Sequence, residues 1–447
     1  MEAKRIIVIG GNAAGPAAAA KAKRFNSTAE VLMIESGDFI STGTCEIPYV
    51  LSGEIGSYKN VVFYSPEKFK EEKGVDVLTN HFVEAIDKRQ KEVIVADKIK
   101  GKIFPIPYSK LILCTGSNPI SLDKYSSYKN VFNLKKISDL LSIKNFISEN
   151  NVKNVLVVGS GYIGLETAEA MNQLGLKVTI FDIAEMPFPK SEIEIQSLIL
   201  ECLKNNQIDF YGSAQNVQII SEDEKIKSIK INERILEFDL VITAAGVLPN
   251  IQLAKETGLD IGITGAIKVN NKCRTCNNNI YAAGDNIEII NAITKRPDYI
   301  PLATLAHTTG HVSGENAAGG NVFLQPTVNN IAVKIFDYFY AQVGLSSKES
   351  EANNFNFEIV TSIMPNLVKV MPESKKVFGK IIYDKNTKLI LGASFFGGRE
   401  VSGYANLISS FIYNKLRINL LSSIDYNYTP PLSPMINLLS VLGRKIK

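Results

Sequence analysis

Hydrophobic positions near the start of the chain follow two periods in turn. Residues 5–9 are apolar and predict a strand, and after a glycine-rich turn the alanine-rich residues 13–24 predict a helix. Residues 30–35 then predict a second strand. A strand, a tight turn, a helix and a further strand in this order are typical of a unit that binds a dinucleotide.

The same pattern returns roughly 150 residues later. A strand at residues 154–158, a helix at 162–174 and a strand at 177–182 are predicted there. Two copies of the pattern in one chain predict two Rossmann-like units and therefore two bound nucleotides.

The segments between and after the copies have a different pattern. Residues 75–79 and 92–96 alternate and predict an antiparallel meander beside the first sheet, to which residues 111–113 return. After Pro326 the pattern predicts a separate α+β unit. Its expected elements are strands at 357–363, 377–383 and 389–396, a hairpin turn at 384–388, and helices that begin at Ser402 and Pro434.

Composition narrows the class of protein. The 447 residues are 45% hydrophobic, enough for two or three domains with buried cores. A net charge of +4 over 49 basic and 45 acidic residues gives no concentrated basic stripe, so we expect no nucleic-acid partner. No stretch reaches the ~18 apolar residues that span a bilayer, so we expect a cytoplasmic protein without a membrane partner. Five scattered cysteines are too few for a disulfide framework.

The first glycine-rich turn has residues suited to a pyrophosphate. Gly10, Ala14 and Gly15 are small, so the backbone can approach phosphates while N–H groups of the next helix bind them. Glu35 ends the second predicted strand, where a carboxylate can accept hydrogen bonds from a ribose. Asn12 stands at the usual middle glycine, so a simple tight turn is the alternative.

The second turn carries the full glycine pattern. Gly159, Gly161 and Gly164 directly follow the predicted strand, in the order Gly-Ser-Gly-Tyr-Ile-Gly. Asp182 ends the next strand, and its negative charge would repel a 2′-phosphate. The pattern therefore favours NADH over NADPH.

Three further glycine signatures each follow a short apolar segment. They are Thr115-Gly116, Ala245-Gly246 and Ala283-Gly284-Asp285. Each could be an ordinary turn if it stood alone.

Taken in order, these motifs resemble those of the pyridine nucleotide-disulfide oxidoreductases over essentially the whole chain. The resemblance implies an α/β fold with two Rossmann-like domains, for FAD and NAD, and a C-terminal α+β dimerisation domain. FAD is expected on residues 1–118 and 246–325, NADH or NADPH on 119–245, and a homodimer interface on 326–447. The expected FAD-binding residues are Gly10, Asn12, Ala14, Gly15, Glu35, Thr115, Gly116, Gly246, Gly284 and Asp285, and those for the nicotinamide nucleotide are Gly159, Gly161, Tyr162, Ile163, Gly164 and Asp182.

One cysteine stands in a chemically distinctive segment. Cys45 follows a flexible Ser-Thr-Gly-Thr turn, and a helix N-terminus or an oxidised flavin nearby could lower its pKa. Family members with an internal disulfide have a second cysteine five positions later, where this chain has Val50. A single sulfur can form a mixed disulfide, a persulfide or a sulfenic acid. An inert buried thiol is the alternative.

The cysteine segment is similar to that of the single-cysteine members of the family, which are coenzyme A-disulfide reductases, NADH-dependent persulfide reductases, NADH oxidases and NADH peroxidases. Ala13 replaces a histidine of the oxidase and peroxidase branch, which argues against peroxidase chemistry. An ionised Glu46 beside the sulfur would oppose thiolate formation. The positions that match the coenzyme A branch are Ser41, Cys45, Pro48 and Tyr49, and those that differ are Thr42, Thr44 and Glu46.

Resemblance to the coenzyme A branch also implies roles in substrate binding and catalysis. Tyr428, in an Asp-x-x-Tyr-x-Pro-Pro motif, is the expected proton donor across the dimer, with a plain interface residue as the alternative. Lys21 and Arg24 end the first helix where that branch contacts phosphates, with a solvated helix end as the alternative. The expected substrate-binding residues are Lys21, Arg24, Ser41 and Thr44.

These features predict an FAD-dependent NAD(P)H oxidoreductase that reduces a small disulfide, persulfide or polysulfide, such as coenzyme A disulfide, through Cys45. Two alternatives stay open: an NADH oxidase that uses a Cys45 sulfenate, and a redox-sensing or electron-transfer flavoprotein without a small-molecule acceptor. The Cys-x-x-Cys pair of Cys273 and Cys276 lacks a second pair, so we expect structural thiols and no metal, with a secondary redox pair as the alternative. His307 and His311 are expected on a helix as packing or flavin-proximal residues.

Overall fold

In the computed structural model, which describes residues 5–446, the first hydrophobic pattern forms a parallel sheet. Strands β1 (Arg5–Ile9) and β2 (Glu30–Ile34) pair side by side, and helix α1 (Ala14–Phe25) is the crossover between them. The other elements before residue 120 are β3 (Ile40–Thr42), a 3-10 helix (Thr44–Glu46), α2 (Ile47–Ser52), a 3-10 helix (Tyr58–Val61), β4 (Val62–Tyr64), α3 (Pro66–Lys73), β5 (Asp76–Leu78), β6 (His81–Asp87), β7 (Glu92–Asp97), β8 (Lys102–Pro107), β9 (Lys110–Leu113) and β10 (Ser117–Pro119).

The second copy of the pattern forms its own five-stranded parallel sheet within residues 123–249. Its buried strands are apolar on both faces, as expected for a parallel sheet covered by helices. The elements are α4 (Asp123–Ser126), β11 (Val131–Asn133), α5 (Ile137–Glu149), β12 (Asn154–Val158), α6 (Tyr162–Gln173), β13 (Lys177–Phe181), α7 (Ile193–Asn205), β14 (Asp209–Tyr211), β15 (Val217–Glu222), β16 (Lys225–Ile231), β17 (Arg234–Glu237), β18 (Leu240–Thr243) and β19 (Val247–Pro249), and the sheet has the order β11-β18-β12-β13-β14.

The chain then returns to the first sheet. Strand β20 (Ile280–Ala282) pairs in parallel with β9, which completes the order β20-β9-β1-β2-β5. Helix α9 (Ala303–Ala317) packs against α1, and the backbones come close because Gly310 and Gly314 face the carbonyl oxygens of Ala14 and Ala18. The remaining elements of this segment are α8 (Gln252–Glu256), β21 (Ile289–Ile290) and β22 (Pro297–Asp298).

The C-terminal part is an antiparallel sheet covered by helices. Its five strands have the order β23-β24-β27-β26-β25, and α11 packs on β24 and β27. The elements are β23 (Asn330–Ile335), β24 (Tyr338–Gly344), α10 (Ser347–Ala352), β25 (Phe357–Pro365), β26 (Lys376–Asp384), β27 (Ile390–Gly397), α11 (Glu400–Tyr413), a 3-10 helix (Ile418–Ser423) and α12 (Leu438–Arg444).

The predicted α/β fold with a C-terminal α+β unit is confirmed, and two local predictions are corrected. The strand predicted at 75–79 is not part of the meander, because β5 pairs in parallel with β2 at the edge of the first sheet. The helix expected to begin at Pro434 begins at Leu438, where the Asn437 side chain accepts the Leu439 N–H as an N-cap. Strands β23 and β24 were not predicted. The domain boundaries at 118/119, 245/246 and 325/326 stay predictions.

A buried lysine joins the C-terminal sheet to the second nucleotide-binding unit. Lys380 of β26 lies 2.7 Å from Glu192 and 3.0 Å from Glu194, and only 5% of the lysine side chain is exposed. Among residues 5–446 no helix is long and apolar enough to cross a membrane.

Candidate active site

The two glycine-rich turns and Cys45 open into one cavity. Its volume is about 2710 Å³, well above the roughly 300–1,000 Å³ of a pocket for one small molecule. Glu35 and Asp182 line it at the ends of β2 and β13, and Asp285 lines it after β20. The cavity therefore has room for two dinucleotides that meet near the cysteine.

The first turn fits the pyrophosphate of a dinucleotide. A Cβ at Gly10 would overlap the Cys114 carbonyl oxygen, and a Cβ at Gly15 would overlap that of Gly10, so only glycine allows this tight turn. No side chain caps the N-terminus of α1, which leaves its N–H groups free to bind phosphate. The Glu35 carboxylate accepts hydrogen bonds from the N–H groups of Gly11 at 2.6 Å and Gly37 at 2.8 Å, which fix it at the cavity wall.

Asn12 has a second role that the glycine pattern did not predict. Its Oδ1 accepts hydrogen bonds from the backbone N–H of Thr42 at 3.1 Å and from the Thr42 hydroxyl at 2.9 Å. This amide therefore ties the first turn to the segment that carries Cys45. Thr42 lines the cavity, whereas the predicted substrate residue Ser41 has a positive φ of 49° in the same turn.

The second turn repeats the geometry of the first. A Cβ at Gly164 would overlap the Gly159 carbonyl oxygen, and no side chain caps the N-terminus of α6. The Asp182 carboxylate accepts hydrogen bonds from the Ser160 N–H at 2.7 Å, the Ser160 hydroxyl at 2.6 Å and the Ala184 N–H at 2.8 Å. These bonds hold a negative charge where the adenosine ribose of a nucleotide would lie.

A buried polar group lies between the two turns. The Ser117 hydroxyl donates to Asp285 at 3.0 Å, and Lys135 in turn donates to Ser117. Burial raises the pKa of Asp285, while Lys135 and the Ser117 hydrogen bond oppose this rise. The predicted Thr115 supports the same loop, because its hydroxyl accepts a hydrogen bond from Asn286 at 2.9 Å.

Cys45 lies in the 3-10 turn Thr44–Glu46, which leads directly into α2. The turn is anchored because the Gly43 N–H donates to the Val61 carbonyl at 2.8 Å. Val50, at the position of a second redox cysteine in related enzymes, is 1% exposed in the core. Within residues 5–446 the cysteines are all unpaired, and only Cys45 and Cys276 are exposed.

The protein's own residues disfavour the Cys45 thiolate. The residue is accessible from the open cavity, but protein atoms surround its sulfur, and this burial is the main cause of a raised thiol pKa. The charges of Glu46, Glu166 and Asp285 raise the pKa further. The expectation that a helix N-terminus lowers this pKa is therefore wrong for the protein's own groups, since α2 is short and three carboxylates oppose it.

Tyr162 and Glu166 face the same cavity from successive turns of α6. The ring of Tyr162 packs edge-on against Phe188 at 4.9 Å. Burial raises the pKa of Glu166 to about 7, the Glu169 carboxylate adds to this, and the Lys334 ammonium opposes it. Glu166 thus changes charge close to neutral pH beside the cysteine.

The predicted phosphate-binding residues lie in a basic cluster between α1 and α9. Lys21 pairs with Glu315 at 2.7 Å, and the rings of His307 and His311 lie 4.3 Å apart on the predicted helix. Burial lowers the pKa of His311, and the charges of His307, Arg24 and Lys21 lower it further. The four basic side chains therefore lie close to one another, together with the Glu315 carboxylate.

Tyr428 lies apart from this site in the single chain. Its side chain is 49% exposed, next to the exposed apolar residues Leu432, Met435 and Ile436, and it is not among the described residues that line the cavity. Its predicted contact with the partner subunit stays a prediction. Cys273 is buried and Cys276 is exposed, so the two thiols differ in accessibility.

Sequence reasoning missed Lys135 and the role of Thr42. The signal for Lys135 was available, because it follows β11, whose carboxyl end lies beside that of β18 in a parallel sheet, where ligands bind. Thr42 gave no signal, since its partner Asn12 is thirty positions away. The assignments of all individual site residues stay predictions.

The Asp182 geometry predicts a change in nucleotide preference. Asp182→Asn removes the charge that repels a 2′-phosphate, so the ratio of kcat/KM for NADPH to that for NADH should rise about tenfold, or about 1.4 kcal/mol. Steady-state kinetics with both nucleotides measures it. Asp209→Asn, on the neighbouring strand and exposed, is the matched control and should leave the ratio unchanged. An unchanged ratio in Asp182→Asn would contradict the assignment.

The Glu46 carboxylate predicts a change in thiol reactivity. In the flavin-free protein, Glu46→Gln removes one of the charges that raise the Cys45 pKa, so alkylation by iodoacetamide at pH 8 should become a few-fold faster. A Cys276→Ser background leaves Cys45 as the one exposed thiol of the described chain. Glu71→Gln, an exposed control, should not change the rate. Equal rates in all three proteins would disprove the electrostatic effect.

Comparisons with known proteins agree with this geometry. The family model described as pyridine nucleotide-disulphide oxidoreductase matches residues 4–310, and that of the dimerisation domain of the same family matches residues 331–439. An NADH oxidase of Methanocaldococcus jannaschii is 31% identical over 98% of this chain and 97% of its own length. A CoA-dependent NAD(P)H sulfur oxidoreductase of Pyrococcus abyssi is 31% identical over 99% of this chain and 98% of its own.

A solved structure has the same fold. The NAD-dependent persulfide reductase from A. fulgidus superposes with a TM-score of 0.94 at 29% identity, over 98% of this chain and 82% of that one. The two glycine turns, the cavity that they share and these matches identify the cofactors as FAD and NAD(P)H. The chain belongs to the pyridine nucleotide-disulphide oxidoreductase family and is an FAD-dependent oxidoreductase.

Proposed function

We propose that this enzyme uses NAD(P)H to reduce a small disulfide, persulfide or polysulfide, and that coenzyme A disulfide or persulfide is the preferred substrate. The observation that carries the proposal is the single accessible thiol of Cys45 in the cavity of both nucleotide turns. The position at which a second redox cysteine would stand is occupied by Val50, which is buried. The other sulfur must therefore come from the substrate.

The chemistry balances with one cysteine. The Cys45 thiolate attacks a disulfide RSSR, one S–S bond breaks as another forms, and one RS⁻ leaves and takes up a proton. Bound FAD would supply the two-electron transfer by which NAD(P)H reduces the mixed disulfide. The second RSH then leaves and Cys45 returns to the thiolate. The sum is NAD(P)H + H⁺ + RSSR → NAD(P)⁺ + 2 RSH.

The carboxylates that raise the pKa of the Cys45 thiol also affect which substrates can approach it. Glu46, Glu166 and Asp285 disfavour a standing negative charge on the sulfur. The S–S group of a disulfide is uncharged, so it can approach such a site without charge repulsion. A titratable Glu166 lining the same cavity can exchange a proton with the leaving thiol.

The basic cluster supports a substrate with phosphate groups. Lys21, Arg24, His307 and His311 lie together on α1 and α9, and α1 starts at the turn joined to the cysteine segment. Lys21 and Arg24 supply positive charges, which give charge-assisted hydrogen bonds to phosphates, whereas the lowered pKa of His311 leaves its ring mainly uncharged at neutral pH. The names of two similar proteins, a CoA-dependent NAD(P)H sulfur oxidoreductase and an NAD-dependent persulfide reductase, agree with this class of substrate.

A homodimer with Tyr428 at the partner's active site completes the proposal. The matched dimerisation domain supports a dimer, and exposed apolar side chains beside Tyr428 suit a covered surface. Tyr428 is proposed as the proton donor there. A cytoplasmic location stays a prediction.

Anaerobic turnover with and without Cys45 tests the proposal. The FAD-loaded enzyme should oxidise NADH only when coenzyme A disulfide, coenzyme A persulfide or polysulfide is added, and Cys45→Ser should lower kcat at least about a thousandfold, since the nucleophile is lost. Absorbance at 340 nm measures NADH loss. Cys276→Ser, the other exposed cysteine, should keep full activity.

Other outcomes of the same experiment identify the alternatives. NADH loss that needs air and ignores added disulfide would mean that oxygen is the acceptor, as the name of the M. jannaschii relative indicates for that protein. No turnover with any acceptor would favour an electron-transfer partner protein. Either result overturns the proposal.

Charge removal at the basic cluster tests coenzyme A recognition. Lys21→Gln with Arg24→Gln should raise KM for coenzyme A disulfide roughly tenfold or more, because charged hydrogen bonds to phosphate contribute about 1.5–3 kcal/mol each. KM for a small disulfide without phosphates should stay constant. Lys70→Gln, whose side chain is 67% exposed on α3, is the control. Equal KM changes for both substrates would contradict phosphate recognition.

A further inference from the structure

Lys334 of β23 contacts both helices that border the cysteine. Its Nζ lies 2.6 Å from Glu169 of α6 and 3.4 Å from Glu54, just beyond α2. The same ammonium lies 5.9 Å above the ring of Tyr49 in α2, within the range of a cation–π interaction. One side chain of the C-terminal sheet thus reaches both the nucleotide helix and the cysteine helix.

The partner of this lysine is firmly fixed. Glu169 is 6% exposed, and its second carboxylate oxygen accepts the backbone N–H of Phe336 at 2.7 Å. Gln173, one turn later on α6, donates to Glu54 and Glu169, both at 3.3 Å. Because a buried charge is costly without its partner, the pair with Lys334 holds the end of β23 against α6.

The ion pair lies one helical turn from a carboxyl group that faces the reacting thiol. Glu166 precedes Glu169 by one turn and lines the cavity, and within residues 5–446 its carboxyl group has no hydrogen-bond partner. The groups that face it are Cys45 and Tyr49 from the cysteine segment, Glu169 from its own helix and Lys334 from β23. Of these, only Lys334 favours a charged Glu166.

We propose that Lys334 is a positioning residue for Cys45: through Glu169, Glu54 and Tyr49 it joins the C-terminal sheet to helix α6 and to α2, the helix that follows the cysteine turn. Lys334 does not touch the reacting sulfur and acts only through these contacts. Removal of its charge weakens the attachment of α2 to α6, which then rests on their direct packing and the Gln173–Glu54 hydrogen bond, and leaves Glu166 neutral to a higher pH. The importance of Cys45 itself rests on the proposed function.

Alkylation of Cys45 as a function of pH tests the proposal on the holoenzyme. In a Cys276→Ser background, the iodoacetamide profile should have an inflection near pH 7, where Glu166 gains its charge and opposes the thiolate, and Glu166→Gln should abolish it. Lys334→Met should move this inflection up by about one pH unit. It should also lower hydrogen-exchange protection in the peptide of residues 47–54. Lys334→Arg keeps the charge and should restore both signals.

Lys380 provides a matched control. It is a buried lysine of the same sheet and also pairs with two glutamates of the nucleotide-binding unit, but at α7 and not at the cysteine helix. Lys380→Met should leave the inflection and the protection of residues 47–54 unchanged. Equal effects of Lys334→Met and Lys380→Met, or an unmoved inflection in Lys334→Met, would overturn the proposal.

If Lys334→Met folds poorly, a second variant tests the same contact. Glu169→Gln keeps the volume and removes the partner charge, so it should also release residues 47–54. Unchanged protection in this variant would contradict the proposal. Alkylation and hydrogen exchange need no turnover, so failure of the proposed sulfur reduction, seen as turnover without Cys45, is distinguishable from failure here.

Discussion

The structure depends on the close approach of backbone to backbone at two strand-to-helix turns. At each turn the last glycine lies against the carbonyl oxygen of the first, so the helix starts within contact distance of the strand end. This contact aims the uncapped N–H groups of α1 and α6 at one shared cavity. The positions of Glu35 and Asp182 follow, because each comes directly after a strand of one of these two sheets. Cys45 lies further along the segment that leaves β2.

The same constraint explains what the sequence could predict. Gly10, Gly15, Gly159 and Gly164 are local signals that need no knowledge of distant residues, and both βαβ units lie where they were predicted. The four glycine positions are decided by sterics within one turn of chain, which a single sequence records directly. The lack of a second redox cysteine, with Val50 in its place, can also be read from the sequence alone.

Long-range contacts could not be predicted in this way. Lys334 and Glu169 are separated by 165 positions, and Ser117 and Asp285 by 168. Nothing in either neighbourhood specifies the partner, because an isolated lysine or glutamate most often lies on a solvated surface. The short strand β5 was assigned to the wrong sheet for a related reason, since an alternating segment fits an edge of either sheet.

The return of β20 to the first sheet has a consequence for synthesis of the chain. Strand β9 gains its last neighbour only after the ribosome has passed the whole second nucleotide-binding unit, whose own sheet lies entirely within residues 123–249. At ~5–20 residues per second, the 168 positions from Ser117 to Asp285 take roughly 10–30 s to translate. During that interval the inserted unit can fold to completion while the first sheet keeps an open edge. The second sheet therefore has all of its strands synthesised before the first sheet does, although its glycine motif comes later in the chain.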